Sequence, residues 1–198
     1  MKIALLRHGP TAWNAAGRIQ GHTDIPLSDE GCAKMAGLRL PPSLWPAHLF
    51  ASPSLRARQT AEALALGTPV LDARLMEQNW GRWEGLTRDE ILSRYGAGAF
   101  EKAGASRGKD FCPPGGESTG AVLKRVAAFL RDVAGENSDA VAVAHLGVLR
   151  AAFTLATHWA MDAPMPPGLD VSRILVLRLN KDGAPAIAEL NVDFLVRA

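Results

Sequence analysis

The chain has 198 residues and a formal net charge of +2 at pH 7, a charge too small to indicate binding to nucleic acid or to a membrane surface. With 47% hydrophobic and 21% charged residues, its composition is that of an ordinary globular protein. No apolar run approaches the roughly 18 residues of a membrane span, and the apolar start of the chain is too short for a signal peptide. We therefore expect one domain, residues 1–198, in the cytoplasm.

The two cysteines, Cys32 and Cys112, are spaced for neither a metal site nor a redox pair. No zinc-type cluster of ligands is visible in the sequence. We therefore expect the protein to use neither a metal nor another cofactor.

Strands and helices alternate through the first three quarters of the chain. Short apolar runs predict strands at 3–6, 48–51, 69–75, 140–144, 171–179 and 186–192. Helical periodicity and capping residues predict helices at 28–40, 55–66, 88–95, 118–133 and 148–157. This alternation predicts an α/β fold, a three-layer α/β/α sandwich with a mostly parallel sheet, in which the last two strands form an antiparallel hairpin.

Residues 85–116 form a long excursion that contains the predicted helix at 88–95. Most of it is rich in glycine, proline and charge. Long excursions in compact domains often serve as lids or binding segments. We expect this one to lie at the surface and to influence substrate specificity.

Charged and nucleophilic side chains recur at the ends of the predicted strands. Arg7 and His8 directly follow the first strand, and Arg56 opens the helix after the second. Glu77 follows the third strand, and His145 ends a later one. Because parallel strands end at the same edge of a sheet, these five side chains are predicted to converge. Two arginines and two histidines suit a phosphate dianion, and one carboxyl suits a general acid.

Each of these residues also has a purely structural interpretation. Arg56 could be an exposed helical charge, Glu77 a local cap and His145 a buried core histidine, because charged groups often serve structure. Their recurrence at successive strand ends favours a common site over separate structural roles.

Six segments of the chain match one known family in the same order. They are residues 6–11 (Leu-Arg-His-Gly-Pro-Thr) with Asn14, then 20–28, 52–61, 75–85, 114–118 and 144–150. Together they resemble the histidine phosphatase superfamily, also called the phosphoglycerate mutase-like family. The resemblance implies a phosphoglycerate mutase-like fold.

The resemblance also implies a role for each residue at the strand ends. His8 corresponds to the nucleophile that becomes a phosphohistidine. Arg7, Arg56 and His145 correspond to the residues that hold the phosphoryl oxygens. Glu77 corresponds to the acid that protonates the leaving group.

Further phosphate-binding contacts are implied for Asn14, Thr23 and Gly147. Arg58 remains an alternative to Arg56, and Glu84 an alternative to Glu77. Trp80 and Trp83 are expected to pack rather than to bind substrate.

Two positions depart from the family pattern. Pro10 stands where relatives often carry Glu or Gln, which removes a polar contact near the site. Leu146 stands where Gly is common, and a leucine there disfavours positive φ and crowds a backbone that faces phosphate. We interpret Leu146 as a change in substrate shape rather than a loss of catalysis.

The residues and the resemblance together predict a metal-independent phosphatase that hydrolyses small phosphate monoesters through a phosphohistidine. Its substrate would be α-ribazole phosphate or a sugar phosphate. A phosphoglycerate mutase is the first alternative, although the mutases of this family are typically longer near the acid segment. The second alternative is a phosphate-binding scaffold with weak activity. The expected partner is a small phosphate ester, without nucleic acid or membrane, and a homodimer is left open.

Overall fold

The computed structural model describes residues 1–103, 108–161 and 168–197. The strands are β1 (Lys2–Arg7), β2 (Leu38–Arg39), β3 (His48–Ala51), β4 (Val70–Leu71), β5 (Ala140–Ala144), β6 (Ile174–Leu179), β7 (Pro185–Val192) and β8 (Leu195–Val196). The helices are α1 (Ala12–Ala15), α2 (Asp29–Ala36), α3 (Leu55–Ala63), α4 (Arg88–Tyr95), α5 (Ala99–Lys102), α6 (Thr119–Gly135) and α7 (Leu146–Thr157).

Within these described residues the main sheet has six strands in the order β4-β3-β5-β1-β6-β7. The first four are parallel to one another, β6 is antiparallel to β1, and β7 is antiparallel to β6. The predicted mostly parallel sheet and its closing hairpin are therefore confirmed. A separate antiparallel pair joins β2 to β8.

Side chains alternate across the sheet, so each central strand buries one set against each helical layer. In β1, Ile3 and Leu5 lie in a core cluster with residues of α6 and α7. Ala4 and Leu6 lie in a second cluster with residues of α2 and α3. Burying one leucine or isoleucine contributes about 1.5–3 kcal/mol. Helices cover both faces of the sheet, which confirms the predicted three-layer arrangement.

The segment between residues 80 and 116 has a small core of its own. Trp83, Ile91, Phe100 and Phe111 are buried together, and the ring centroids of Trp83 and Phe100 are 4.9 Å apart. The helix predicted to start after Thr87 is present as α4, and its capping box is formed. The predicted excursion is thus a packed subdomain over its described part, and residues 104–107 lie outside the described residues.

Several predicted boundaries differ from the observed ones, and three of these differences have an identifiable cause. The helix predicted to reach residue 40 ends at Ala36, because Gly37 caps it and the next two residues pair with β8. The strand predicted over 69–75 shrinks to β4, since the Asp72 side chain accepts the Arg74 N–H at 2.8 Å and starts a 3-10 turn. The loop predicted from residue 13 opens instead with α1, which Thr11 caps.

No helix in the described parts of the chain combines the length and the hydropathy needed to cross a membrane.

The first turn of α2 packs against the backbone that follows His8. Ser28 N–H donates to the carbonyl of Pro10 at 3.0 Å, and a Cβ added to Gly31 would overlap that same carbonyl oxygen. The absence of a side chain at Gly31 therefore allows α2 to support the end of β1.

We expect Gly31→Ala to lower the free energy of unfolding by about 1–3 kcal/mol, because the added methyl group overlaps backbone that cannot move freely. Urea unfolding monitored by tryptophan fluorescence would measure this. Gly37→Ala is the matched control on the same helix, since its Cβ would meet nothing closer than 3.5 Å. Equal effects of the two substitutions would contradict the packing role of Gly31.

Candidate active site

Parallel pairing of β1 with β5 brings two histidines together. Arg7 lies opposite Ala144 in the register, and the next amide, that of His8, donates to the Ala144 carbonyl at 3.0 Å. His145 follows Ala144 directly. The two imidazole centroids are consequently 5.1 Å apart, with an angle of 57° between the rings.

A hydrogen bond of the His8 ring shows which of its two nitrogens carries the proton. Nδ1 lies 2.7 Å from the carbonyl oxygen of Gly9, and a carbonyl can only accept, so Nδ1 carries the hydrogen and donates. Burial, followed by the charge of Arg56, lowers the pKa of His8 to about 3. The imidazole is therefore neutral at pH 7, and its Nε2 keeps a free electron pair.

The backbone next to His8 is held by α3. The Gly9 N–H donates to Thr60 Oγ1 at 2.9 Å, and that hydroxyl donates in turn to the Arg56 carbonyl at 2.7 Å. Both contacts are buried. They fix the carbonyl that orients His8 and connect it to the helix that carries Arg56.

His145 is completely buried, and its Nε2 lies 2.8 Å from Ser52 Oγ at the end of β3. Its Nδ1 is buried without a hydrogen-bond partner in the described structure. Burial, and then the proximity of His8 and Arg56, lowers its pKa well below the usual value.

Arg56 is buried at the start of α3, whereas Arg58 is exposed. The Arg56 guanidinium donates to the carbonyls of Gly21 at 2.8 Å and Thr23 at 3.2 Å. Its Nε, like that of Arg7, is buried and has no partner among the described residues. The structure thus puts Arg56, and not its alternative Arg58, beside the histidines.

Glu77 is a buried carboxyl held by two backbone amides. It accepts from Gln78 N–H at 2.8 Å and from Gly147 N–H at 3.0 and 3.1 Å. Burial raises its pKa above the usual value, and the hydrogen bonds only partly oppose this. Glu77 therefore retains its proton to higher pH than an exposed carboxyl, as a general acid requires.

The backbone of Glu77 is held by an ion pair. Arg125 contacts the Glu117 carboxylate through two nitrogens, at 2.8 and 3.0 Å. The same guanidinium donates to the carbonyls of Arg74 at 2.6 Å and Glu77 at 3.2 Å. The segment that carries the acid is thereby fastened to α6.

Glu84, the alternative acid, has a different environment. Its carboxylate accepts from the backbone amides of His22 at 2.8 Å, Thr23 at 2.7 Å and Trp80 at 3.2 Å. Although burial raises its pKa, these bonds and one from the Thr23 hydroxyl outweigh it and hold the pKa below the usual value. Glu84 thus tethers the loop after α1 and is suited to remain ionised.

A cavity of about 230 Å³ opens onto His8. Its lining is Arg7, His8, Asn14, Arg18, Ile19, Gln20, Glu77, Gln78, Trp80, Phe111, Thr119, Val122, Leu146, Gly147, Arg150, Ala151 and Met161. Five of the eight residues expected at the site from sequence are in that list, and Arg56 and His145 are buried beside it.

Two of the expected phosphate contacts are engaged with other groups of the protein. The Thr23 hydroxyl donates to Glu84, and Thr23 is not among the described lining residues of the cavity. Gly147 lies in the lining, but its amide faces Glu77. Leu146 begins α7 and does not have a positive φ, so leucine fits the backbone at this position, where relatives often carry glycine.

Arg150, Ala151 and Phe111 line the cavity but were not predicted from the sequence, and Trp80, which was expected to pack rather than to bind substrate, lies in the same lining. Leu146 and Arg150 are one turn apart along α7, as are Gly147 and Ala151, and this spacing could have indicated a helix face on the cavity. Phe111 gave no such local signal, because its position depends on the packing of the third core cluster. Among the described residues, no cluster of three or more His, Cys, Asp or Glu side chains is arranged to hold a metal.

We expect the protein to lose stability as the pH falls below 6.5. Unfolded histidines take up protons near pH 6.5, whereas His8 and His145 stay neutral in the fold because their pKa values are lowered. His8 would therefore remove roughly 2 kcal/mol from the free energy of unfolding between pH 6.5 and 5, and His145 would add to this loss. Urea unfolding from pH 8 to 5 would measure this slope.

The variant His8→Asn tests the contribution of one histidine to that slope. It should reduce the loss of stability over the same interval by roughly 2 kcal/mol, whatever its stability at pH 8. An unchanged slope would mean that His8 becomes protonated in the folded protein.

The comparisons with known proteins agree with this geometry. The model of the histidine phosphatase superfamily (branch 1) matches residues 3–193. Phosphoglycerate mutase-like protein 4 of Arabidopsis thaliana is 31% identical over 163 residues, which cover 78% of this chain and 70% of the relative. Glucosyl-3-phosphoglycerate phosphatase of Mycolicibacterium vanbaalenii is 33% identical over 163 residues, covering 76% of this chain and 71% of the relative.

A solved structure has the same fold. The mycobacterial glucosyl-3-phosphoglycerate phosphatase in complex with VO3 superimposes with a TM-score of 0.78 at 26% identity, and the match covers 97% of this chain and 99% of that one. The family match spans nearly the whole chain and includes every strand of the main sheet. The chain therefore belongs to the histidine phosphatase superfamily.

Proposed function

We propose that this protein is a phosphatase that hydrolyses small phosphate monoesters through a phosphohistidine at His8, without a metal. The observation that carries the proposal is the state of His8, whose Nδ1–H is committed to the Gly9 carbonyl and whose Nε2 is left free to attack. The buried Nε atoms of Arg7 and Arg56, which have no partner in the described structure, supply donors beside it, and the buried Nδ1 of His145 is likewise unpaired there.

In the first step, His8 Nε2 forms a bond to phosphorus while the bond from phosphorus to the ester oxygen breaks. The guanidinium groups of Arg7 and Arg56 stabilise the charge on the phosphoryl oxygens, a task that metal ions perform in other phosphoryl transfer enzymes. Glu77 gives its proton to the departing alkoxide, which leaves as the alcohol.

In the second step, water attacks the phosphorus of phospho-His8. The Glu77 carboxylate, now ionised, takes a proton from this water, and the bond from phosphorus to Nε2 breaks. Inorganic phosphate is released, and both His8 and Glu77 return to their starting states. Splitting the displacement into two steps is the advantage of covalent catalysis.

The names of the relatives favour hydrolysis but do not exclude a mutase, because one fold hosts several reactions. The Mycolicibacterium relative is named a phosphatase, and the Arabidopsis relative is named only as phosphoglycerate mutase-like. A mutase would share the first step and then return the phosphoryl group to substrate instead of water. Incubation with 3-phosphoglycerate separates the two activities, since a mutase isomerises it without accumulating inorganic phosphate.

We expect His8→Ala to reduce phosphate release by about 10⁴-fold or more, because no neighbouring group replaces its nucleophile. Wild-type protein should release phosphate when EDTA is present. After rapid quenching without acid, it should carry one phosphoryl group on the peptide that contains His8. His158→Asn is the control, since His158 is exposed and asparagine tolerates its left-handed backbone. Activity of His8→Ala within tenfold of wild type, or phosphate on another peptide, would contradict the mechanism.

Glu77→Gln should lower kcat/KM, which reports on the first step alone, about 10²–10⁴-fold for alkyl phosphates but less than tenfold for 4-nitrophenyl phosphate, whose leaving group needs no proton. Gly147→Ala should show the same selectivity, because a Cβ there would overlap the Glu77 carboxylate. Gly135→Ala is the matched control, since its Cβ would meet nothing within 4 Å. Equal losses of kcat/KM for both ester types would assign the proton to another group.

A further inference from the structure

We propose that the alcohol half of the substrate is an uncharged apolar group of about the size of one ring. The apolar wall that would receive it consists of Ile19, Trp80, Phe111, Val122, Leu146, Ala151 and Met161. This inference rests on the proposed phosphatase function, because the same cavity contains His8 and Glu77.

Much of the apolar wall belongs to packed parts of the fold. Trp80 and Phe111 come from the third core cluster, with ring centroids 5.7 Å apart in an edge-to-face arrangement. Val122 belongs to α6 and Ala151 to α7, and both are buried. A wall with such rigid backing is present before substrate binds, so it favours a ligand of complementary shape.

Three of the polar side chains in the described lining already have partners in the protein. Arg18 donates to the Gly85 carbonyl at 2.6 Å and to Glu90 at 3.0 Å. Gln78 donates to the Glu117 carbonyl at 2.7 Å. The guanidinium of Arg150 lies over the Trp159 ring, 5.3 Å from its centroid.

These contacts weaken the case for a polyol such as a sugar. Each buried hydroxyl without a partner costs free energy, and a sugar carries several. Gln20 Oε1 is a buried acceptor with no partner among the described residues, and it could satisfy one donor on the ring. The lining therefore suits a ring with few polar groups better than a sugar.

The size of the cavity supports the same conclusion. A cavity of about 150 Å³ holds benzene in another protein. The cavity beside His8 has about 230 Å³, which leaves room for a phosphoryl group next to a single ring.

Leu146 lies between the catalytic residues and the apolar wall. It follows His145 in the chain, begins α7 and contributes to the apolar wall. Glycine at this position would remove its four side-chain carbons from the wall. We therefore assign Leu146 as a specificity-determining residue.

The test compares phosphate release from 2-phenylethyl phosphate, ethyl phosphate and 3-phosphoglycerate. The first two esters have similar primary alcohols as leaving groups, so their kcat/KM ratio reports on binding of the ring. We expect kcat/KM for 2-phenylethyl phosphate to exceed that for each of the other two esters by at least about tenfold. A single methylene group in an apolar pocket already changes kcat/KM by about this factor. A ratio near one, or a preference for 3-phosphoglycerate, would overturn the inference while leaving the phosphatase function intact.

Variants at Leu146 test the assignment of this residue. Leu146→Ala should reduce the preference for the ring about tenfold. Leu146→Gln should also reduce it, because glutamine has a similar volume but a polar side chain. Leu146→Met should preserve the preference. Leu190→Ala, on β7 and outside the cavity lining, is the control. Preference ratios that are equal in all four variants would refute the role of Leu146.

Binding of non-hydrolysable phosphonates separates the inference from the proposed function. Calorimetry should show tighter binding of 3-phenylpropylphosphonate than of propylphosphonate to the wild-type protein. If this preference is present but none of the esters is hydrolysed, the phosphatase proposal fails and the apolar subsite stands. If both phosphonates bind equally, the apolar subsite is refuted.

Discussion

The pairing of β1 with β5 is the constraint on which the site depends. Because the two strands are parallel and in register from Ile3 to Arg7, both end at the same edge and His8 and His145 become neighbours. A shift of one residue would send both sets of core side chains to the wrong faces. The hydrophobic alternation that stabilises the three layers thus also sets the distance between the two imidazoles.

Burial of charge is the second determinant of the site. Desolvation lowers the pKa of His8 and His145 and raises that of Glu77, so the uncharged form of each group is favoured. The permanent charges are left to Arg7 and Arg56, whose guanidinium groups hold their protons even when buried. This division gives a neutral nucleophile and an acid that holds its proton to higher pH than an exposed carboxyl, both beside fixed cations, which suits attack on a phosphate dianion.

Much of the fold and of the candidate site could be predicted from the sequence, because the patterns that indicate them lie in short stretches of neighbouring residues. Apolar runs ending in Arg7-His8 and in His145 indicated strands with reactive ends, and the capping box at Thr87 indicated a helix. Glu77 was identified by its place after the third predicted strand and was then ranked above Glu84 by the family resemblance, whereas the physical difference between the two carboxyls is tertiary. One carboxyl is buried against the amide of Gly147, whereas the other binds a loop distant in sequence.

The sequence by itself determined the layer architecture, the strand ends and the types of reactive side chain, since each follows from periodicity and neighbouring residues. Only the tertiary structure decided where those side chains point and what they contact. It turned Thr23 towards Glu84 and fastened Glu77 through Arg125. It also brought Phe111 to the cavity. Contacts between segments separated by tens of residues depend on packing of the whole chain, which no local pattern encodes.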